Sequence, residues 1–311
     1  MEILELIDTV PIQGQEFDII IAALSSESRA VNMIRKYEIN AATKFAIVST
    51  QKDDLAYKDN NSFFTSNNFS IIRYGELNSA LSIFSESHSK QRIQIALDIS
   101  CMPRQLMAEV LLAILRMAKV YEYEITFLYS LASFTMPASD IAPNEAIEPV
   151  SPLFSGWPSE QALPTSLITG IGYEPEKAEG ASEYLDPSEQ WGFIPMSPVS
   201  EFLAELEKNN NNLISRIASE GRTIRYQVSE PSRTFGQLEI IISDLLRRSN
   251  PILLPFGPKI FFALCLLHGL RHPEVGVWHV TGESNEVPVD RQASGVEVGF
   301  CVTLKRSTAI N

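Results

Sequence analysis

The fold is decided by "DISCMPRQLMAEVLLAILR" (residues 98–116) and "LLPFGPKIFFALCLLHGLR" (residues 253–271), two stretches that match each other. They align without a gap. The matched positions are Pro103 with Pro258, Arg104 with Lys259, Ala108 with Ala263, Leu111 and Leu112 with Leu266 and Leu267, and Arg116 with Arg271. Each stretch contains the end of a strand, a proline turn and an apolar helix. A repeat of this kind indicates two copies of one structural unit.

Strand-like and helix-like patterns alternate along both halves of the chain. "FDIIIAAL" (residues 17–24) and "SLITGIGY" (residues 166–173) predict the first strand of each half. "KFAIVST" (residues 44–50) and "WGFIPMS" (residues 191–197) predict the second. Such alternation is typical of βαβ crossovers and a parallel sheet. We therefore predict an α/β fold with two tandem Rossmann-like units, mainly parallel sheets and a pseudo-two-fold relation.

The predicted boundaries follow from a proline-rich stretch near the middle of the chain. Residues 1–135 form the first unit, residues 136–165 a connector, and residues 166–311 the second unit with a short β tail, "GVEVGFCVTLKR". Outside the two repeated stretches, the polar residues 51–70 predict a loop, and residues 199–221 predict one helix.

The amino-acid composition argues against several classes of function. The net charge of −13 argues against wrapping a nucleic-acid polymer, which needs a basic surface. The three cysteines are far apart, as expected of reduced thiols rather than a disulfide framework. No basic leader or bilayer-length apolar run is evident, so we expect a cytoplasmic protein that does not bind a membrane.

A lysine stands where helix electrostatics favours an acid. Lys259 falls in the first turn of a predicted helix, where the macrodipole presents partial positive charge. A cation there is unfavourable by ~0.3–1 kcal/mol unless an anion offsets it. That anion is either a phosphate of a ligand or a carboxylate of the protein. The same alternatives apply to Arg104, which could pair with Asp98.

The predicted topology brings four turns to one kind of sheet edge. Ligands of open α/β sheets bind beyond the carboxyl ends of the strands. The turns there are "SSESR" (residues 25–29), "DISCMPR" (residues 98–104), "GYEPEK" (residues 172–177) and "LPFGPK" (residues 254–259). Proline followed by a basic residue opens a helix whose free N–H groups suit a phosphate. Tyr173 is a candidate to stack on a base, whereas Phe256 is expected to serve in packing.

The turns at Asp98, Ser100 and Arg104 and at Gly257 and Lys259 resemble the ligand motif of CARF domains. Two such units in one chain resemble the SAVED arrangement of prokaryotic antiviral defence systems. The resemblance implies a non-catalytic sensor that binds a phosphorylated, nucleotide-type ligand in the cleft between the units and acts on a separate effector chain, without a cofactor. It implies phosphate contacts from Arg104 and Lys259, supported by Ser100 and Gly257. The turns at Ser25 and Ser26 and at Gly172 and Tyr173 would close the pocket. A homo-oligomer is a further option.

Enzyme functions lack their usual motifs. The chain contains no G-x-S-x-G elbow, P-loop or G-x-G-x-x-G. The alternatives left open are a nucleotide- or nucleoside-processing enzyme with Asp98 as acid/base, and a scaffold subunit that binds no ligand. His268 and His272 have the spacing of paired metal ligands, but the sequence shows no acid nearby, so we predict no metal site. Cys101, at a helix start, is expected to be a buried thiol.

Overall fold

The computed structural model describes residues 1–49, 54–87, 91–118, 120–137, 144–156, 163–281 and 289–306. The chain divides into two compact units. Unit 1 contains Met1–Ser133 and Pro288–Asn311, and unit 2 contains Phe134–Val287.

Each unit is built around one sheet. The strands are β1 (Glu2–Asp8), β2 (Glu16–Leu24), β3 (Asn40–Val48), β4 (Ser70–Ile72), β5 (Arg92–Asp98), β6 (Glu122–Ala132), β7 (Ala146–Pro149), β8 (Thr165–Gly170), β9 (Glu189–Met196), β10 (Thr223–Gln227), β11 (Asn250–Pro255), β12 (Gly276–Thr281) and β13 (Ala293–Lys305). The helices are α1 (Asn32–Tyr37), α2 (Tyr57–Ser66), α3 (Leu77–Ser87), α4 (Arg104–Leu115), α5 (Lys177–Leu185), α6 (Glu201–Asn209), α7 (Asn211–Ser219), α8 (Pro231–Leu245) and α9 (Lys259–Arg271).

The sheet of unit 1 is doubly wound. Its order is β1-β13-β6-β5-β2-β3-β4; β2 to β6 are parallel, β13 pairs antiparallel with β6, and β1 pairs antiparallel with β13. The chain runs outward from β2 to β4, then crosses to β5 on the other side of β2. This reversal creates a topological switch point between β2 and β5.

The sheet of unit 2 repeats that winding. Its order is β10-β9-β8-β11-β12-β7, parallel except for β7 at the edge. The chain again runs outward, from β8 to β10, and crosses to β11, so the second switch point lies between β8 and β11. The predicted α/β fold with two Rossmann-like units and mainly parallel sheets is confirmed.

The helices that follow the two crossover strands start in the same way. Pro103 caps α4 with φ −58° and ψ 151°, and Pro258 caps α9 with φ −55° and ψ 145°. The extended proline stops the preceding turn from continuing the helix, so Arg104 and Lys259 become the first helical residues.

The cores explain why these elements form. In β2, residues 19–22 and Leu24 have at most 2% of their surface exposed, because helices cover both faces of a parallel sheet. The helix α9 is buried on nearly every side, from Ile260 to Gly269. Its polar groups are therefore confined to its two ends, at Lys259 and from His268 onward.

Two predicted local structures are wrong. The loop predicted over residues 51–70 contains helix α2, because Phe64 is fully buried and packs edge-on against Phe69 at 4.9 Å. The single helix predicted over residues 199–221 is two helices, because Asn210 leaves helical geometry with φ −122° and ψ 21°.

The division into units differs from the predicted boundaries. The β tail, predicted as part of the second unit, pairs as β13 with β6 and β1 in unit 1. Phe300 stacks on Phe127 at 4.6 Å, which supplies the apolar contact for this pairing. Within the predicted connector, β7 pairs with β12 and Phe154 is buried, so this segment belongs to unit 2; residues 138–143 and 157–162 lie outside the described residues.

A helix able to span a bilayer is absent from the part of the chain that the structure describes.

Candidate functional site

The predicted site residues lie at the two switch points. In unit 1, Ser25 and Ser26 follow β2, and Ser100 and Arg104 follow β5. The other four predicted site residues lie at the matching positions of unit 2. Gly172 and Tyr173 follow β8, and Gly257 and Lys259 follow β11. The structure thus brings the residues together as two sets of four, one in each unit.

The turn after β2 is held by hydrogen bonds inside the protein. The backbone N–H of Glu27 donates to Oγ of Ser25 at 3.2 Å. Nδ2 of Asn60 donates to the carbonyl oxygens of Ser25 (2.9 Å) and Glu27 (2.8 Å). Ser25 and Ser26 are 7% and 9% exposed, respectively. The Ser25 hydroxyl therefore stabilises the turn that carries it.

The turn after β5 is also internally bonded. Oδ1 of Asp98 accepts the backbone N–H of Ser100 at 2.9 Å. Oγ of Ser100 accepts the backbone N–H of Ser130 at 2.8 Å. Asp98 and Ser100 are both buried. These contacts assign turn stabilisation to Asp98, the role that the sequence left open beside acid/base chemistry.

An ion pair that the sequence reasoning missed occupies the edge of unit 1. Nε of Arg29 lies 2.7 Å from Oε2 of Glu27, and Nη1 of Arg29 donates to the carbonyl oxygen of Ser130 at 2.8 Å. Burial lowers the pKa of Arg29. Electrostatic contacts with Cys101, Glu27 and Tyr129 raise this pKa by more than burial lowers it, so the net shift is upward and the guanidinium stays charged. Arg29 stands in the quoted "SSESR" turn, yet the carbonyl that accepts its hydrogen bond belongs to Ser130, 101 residues further along the chain.

Three further side chains, from Arg291, Asp290 and Cys101, contact the turn that carries this ion pair. Nη1 of Arg291 lies 3.7 Å from Oε1 of Glu27, and the backbone N–H of Ser28 donates to Oδ1 of Asp290 at 2.6 Å. Sγ of Cys101 donates to Oε2 of Glu27 at 3.8 Å. Cys101 is buried, as the sequence predicted.

In unit 2, two asparagines hold the turn after β8. Nδ2 of Asn210 donates to the carbonyl oxygen of Gly172 at 3.0 Å, and Nδ2 of Asn209 donates to that of Tyr173 at 2.9 Å. Both come from the junction of α6 and α7. The single helix predicted over residues 199–221 ran through these asparagines, although a run of four asparagines inside a helical pattern is a signal for a break.

Close approach of the two turns explains the glycines. A Cβ on Gly172 would lie 3.1 Å from the carbonyl oxygen of Phe256, and one on Gly257 would lie 3.1 Å from that of Ile171. The backbone N–H of Phe256 donates across to the carbonyl oxygen of Gly170 at 2.7 Å. A carboxylate is also present, since Oε2 of Glu174 lies 2.6 Å from the Cβ position of Gly172.

The aromatic residues of this edge have different surroundings. The Tyr173 ring, half-buried, contacts Phe134 at 6.2 Å and Phe202 at 5.2 Å between centroids. Phe256 packs on buried Leu167, Leu254 and Leu213. The packing role expected for Phe256 is confirmed.

Lys259 is half-buried, as are Gly257 and Tyr173. It is the first residue of α9 and is followed by apolar residues up to Leu267.

The expectation that no acid lies near His268 and His272 is wrong. Glu239 of α8 has its carboxylate 3.2 Å from Nδ1 of His268 and 3.1 Å from Nε2 of His272. Glu239 is about 30 residues away in the sequence, and only the packing of α8 on α9 brings it close. These three residues could hold a metal ion.

The chain matches no family model, no curated protein and no solved structure.

Proposed function

We propose that the chain is a non-catalytic binding protein that takes a phosphorylated, nucleotide-type ligand at the switch point of unit 2. The observation that carries the proposal is the difference in exposure between the two predicted sets. In unit 1, Ser25, Ser26 and Ser100 are buried and Arg104 is half-buried, whereas in unit 2 Gly172 is buried and Tyr173, Gly257 and Lys259 are half-buried.

The chemistry of this edge suits a phosphate. The backbone N–H groups of the first turn of α9 point toward this edge, and this end of the helix carries partial positive charge. Lys259, the first residue of α9, adds a full positive charge at the same end. The half-buried Tyr173 ring offers a face for a base.

The helix end alone contributes too little free energy for micromolar binding of the ligand. A helix terminus contributes up to ~2 kcal/mol, while micromolar binding needs about 8 kcal/mol. The proposed ligand therefore contacts Lys259, the N–H groups and Tyr173 together. Glu174 opposes an anion here, so binding includes displacement of its carboxylate from beside Gly172.

The sensor part of the proposal rests on the resemblance to CARF and SAVED proteins. In that setting, the ligand-bound chain acts on a separate effector chain of a prokaryotic antiviral defence system. Asp98 adds no support to the enzyme alternative, because it is 2% exposed and bonded to the turn of Ser100.

The test is a thermal-shift panel of mononucleotides, dinucleotides and cyclic oligonucleotides on the purified chain. A ligand at a hundred times its dissociation constant adds ~2.7 kcal/mol of stability. We expect at least one such ligand to raise the melting temperature of the wild type and to leave that of Lys259→Ala unchanged. Glu174→Gln should bind the same ligand more tightly, because it removes the competing carboxylate.

Lys208→Ala is the matched control, since Lys208 is an exposed lysine of unit 2 that pairs with Glu205. It should shift as the wild type does. No shift by any compound would overturn the proposal and favour the scaffold alternative. A shift that survives Lys259→Ala would place the ligand elsewhere.

A further inference from the structure

A second group of side chains with ligand chemistry lies at the other end of α9. His268 and His272 occupy its last turn and its C-terminal cap, and Glu239 comes from the middle of α8. One ligand atom from each of the three lies within 4.8 Å of the others. Along the helix axis, His268 is about 14 Å from Lys259, at 1.5 Å per residue. The group is therefore separate from the proposed nucleotide site.

The spacing of the three donors suits a small metal ion. Zinc bonds of about 2.0–2.2 Å in a tetrahedron place neighbouring donor atoms about 3.3–3.5 Å apart. Oε2 of Glu239 lies 3.2 Å from Nδ1 of His268 and 3.1 Å from Nε2 of His272. Histidines four apart on a helix present their rings on one face, as in helical zinc sites.

His268 supplies an independent observation. Its side chain has no exposed surface, and neither ring nitrogen has a hydrogen-bond partner, although Glu239 is close. The ring is fixed by stacking on Phe235, with 4.1 Å between centroids. Burying polar nitrogens without hydrogen bonds is costly, and a metal ion would satisfy one of them.

Local electrostatics favours a cation. The C-terminal end of a helix carries partial negative charge, and both histidines lie at that end of α9. The contacts with His268 and then His272 lower the pKa of Glu239 to about 2, so the carboxylate is ionised at neutral pH. Burial lowers the pKa of His268, and a neutral imidazole is the form that binds a metal.

Two other groups contact the Glu239 carboxylate. Nε of Arg271 lies 3.4 Å from Oε1, and Oγ of Ser243 donates to the same atom at 3.3 Å. Arg271 is 40% exposed, so its side chain has room to move away. Oε2, the oxygen nearest His268, is left to coordinate the ion, while Ser243 orients the carboxylate through Oε1.

We propose that Glu239, His268 and His272 bind one divalent transition-metal ion of the zinc class, with the fourth coordination position open to solvent. Two imidazoles and a carboxylate suit zinc, whereas magnesium and calcium prefer oxygen ligands. The open position follows from exposure, since the side chains of His272 and Glu239 are 21% and 23% exposed. By joining α8 to α9, the ion stabilises unit 2.

The experiment is a calorimetric titration of Zn²⁺ into the full chain after removal of metals with a chelator. We expect one equivalent of Zn²⁺ to bind the wild type, with no competition from excess Mg²⁺. Glu239→Gln and His272→Ala should each weaken binding by about tenfold or more, in line with the loss of a metal ligand. His279→Ala is the matched control, a histidine near Glu148 in the same unit, and should bind as the wild type does.

A spectroscopic measurement on the wild type keeps the test independent of how the variants fold. Co²⁺ in place of Zn²⁺ should give the visible absorption of a tetrahedral site with nitrogen and oxygen ligands, without a thiolate charge-transfer band. Absence of Zn²⁺ binding by the wild type would overturn the proposal. So would a thiolate band, or equal affinity in wild type, Glu239→Gln and His272→Ala.

Discussion

The two switch points share one topology and differ in chemistry. In unit 1 the edge is filled by the buried Arg29–Glu27 ion pair and by serines that bond to the backbone. In unit 2 two asparagines hold the corresponding turn at Gly172 and Tyr173, and Tyr173 and Lys259 are half-buried. A repeated unit thus keeps the winding of its sheet while one edge becomes structural and the other stays accessible.

The largest expected effect comes from breaking the ion pair of unit 1. Arg29→Ala leaves the Glu27 carboxylate and the Ser130 carbonyl without the guanidinium and should lower the free energy of unfolding by about 3–5 kcal/mol. Lys177 ends the "GYEPEK" turn of unit 2 as Arg29 ends the "SSESR" turn of unit 1; it is half-buried, and Lys177→Ala should lower the free energy of unfolding by less than about 1 kcal/mol. Urea unfolding of both variants measures the difference. Equal losses would contradict the structural role given to the unit 1 edge.

A smaller effect is expected at the glycine turn of unit 2. Gly172→Ala places a Cβ 3.1 Å from the Phe256 carbonyl oxygen and against Glu174, so it should destabilise the protein by about 1–3 kcal/mol and weaken ligand binding. The measurement is thermal unfolding with and without the nucleotide found in the panel.

Gly236→Ala is the control for that substitution and has the smallest expected effect, of opposite sign. Gly236 lies inside α8 with no atom within 4 Å of its Cβ position. Alanine should stabilise the helix by about 0.5–1 kcal/mol without changing ligand affinity. If both glycine variants changed stability in the same direction, the close approach of the two turns would not be the reason for Gly172.

Much of the fold could be predicted from local patterns. Buried parallel strands such as β2 are continuous apolar runs, and the Pro103 and Pro258 caps mark where helices begin. The predictions that were wrong concern segments whose structure depends on contacts with distant parts of the chain. The apolar surroundings of Phe64 turn a polar segment into α2, and β13 pairs with β6 more than 160 residues earlier.

The candidate sites divide in the same way. The switch-point turns follow from strand order, so their residues could be found from the sequence. Which of them are buried could not be predicted, because Arg29 and Ser100 both hydrogen-bond to the backbone of Ser130, which lies 101 and 30 residues further along the chain. Glu239 was missed because helix packing, not spacing along the chain, brings it to His268 and His272.

The most direct test of the account compares the two matched cations of the repeat. The affinity of the best-binding nucleotide is measured by calorimetry for the wild type, Lys259→Ala and Arg104→Ala. Loss of a charged contact worth about 1.5–3 kcal/mol should weaken binding by about tenfold or more in Lys259→Ala, with less than about threefold change in Arg104→Ala. An equal loss in both variants, or a larger loss in Arg104→Ala, would contradict the assignment of the ligand site to unit 2.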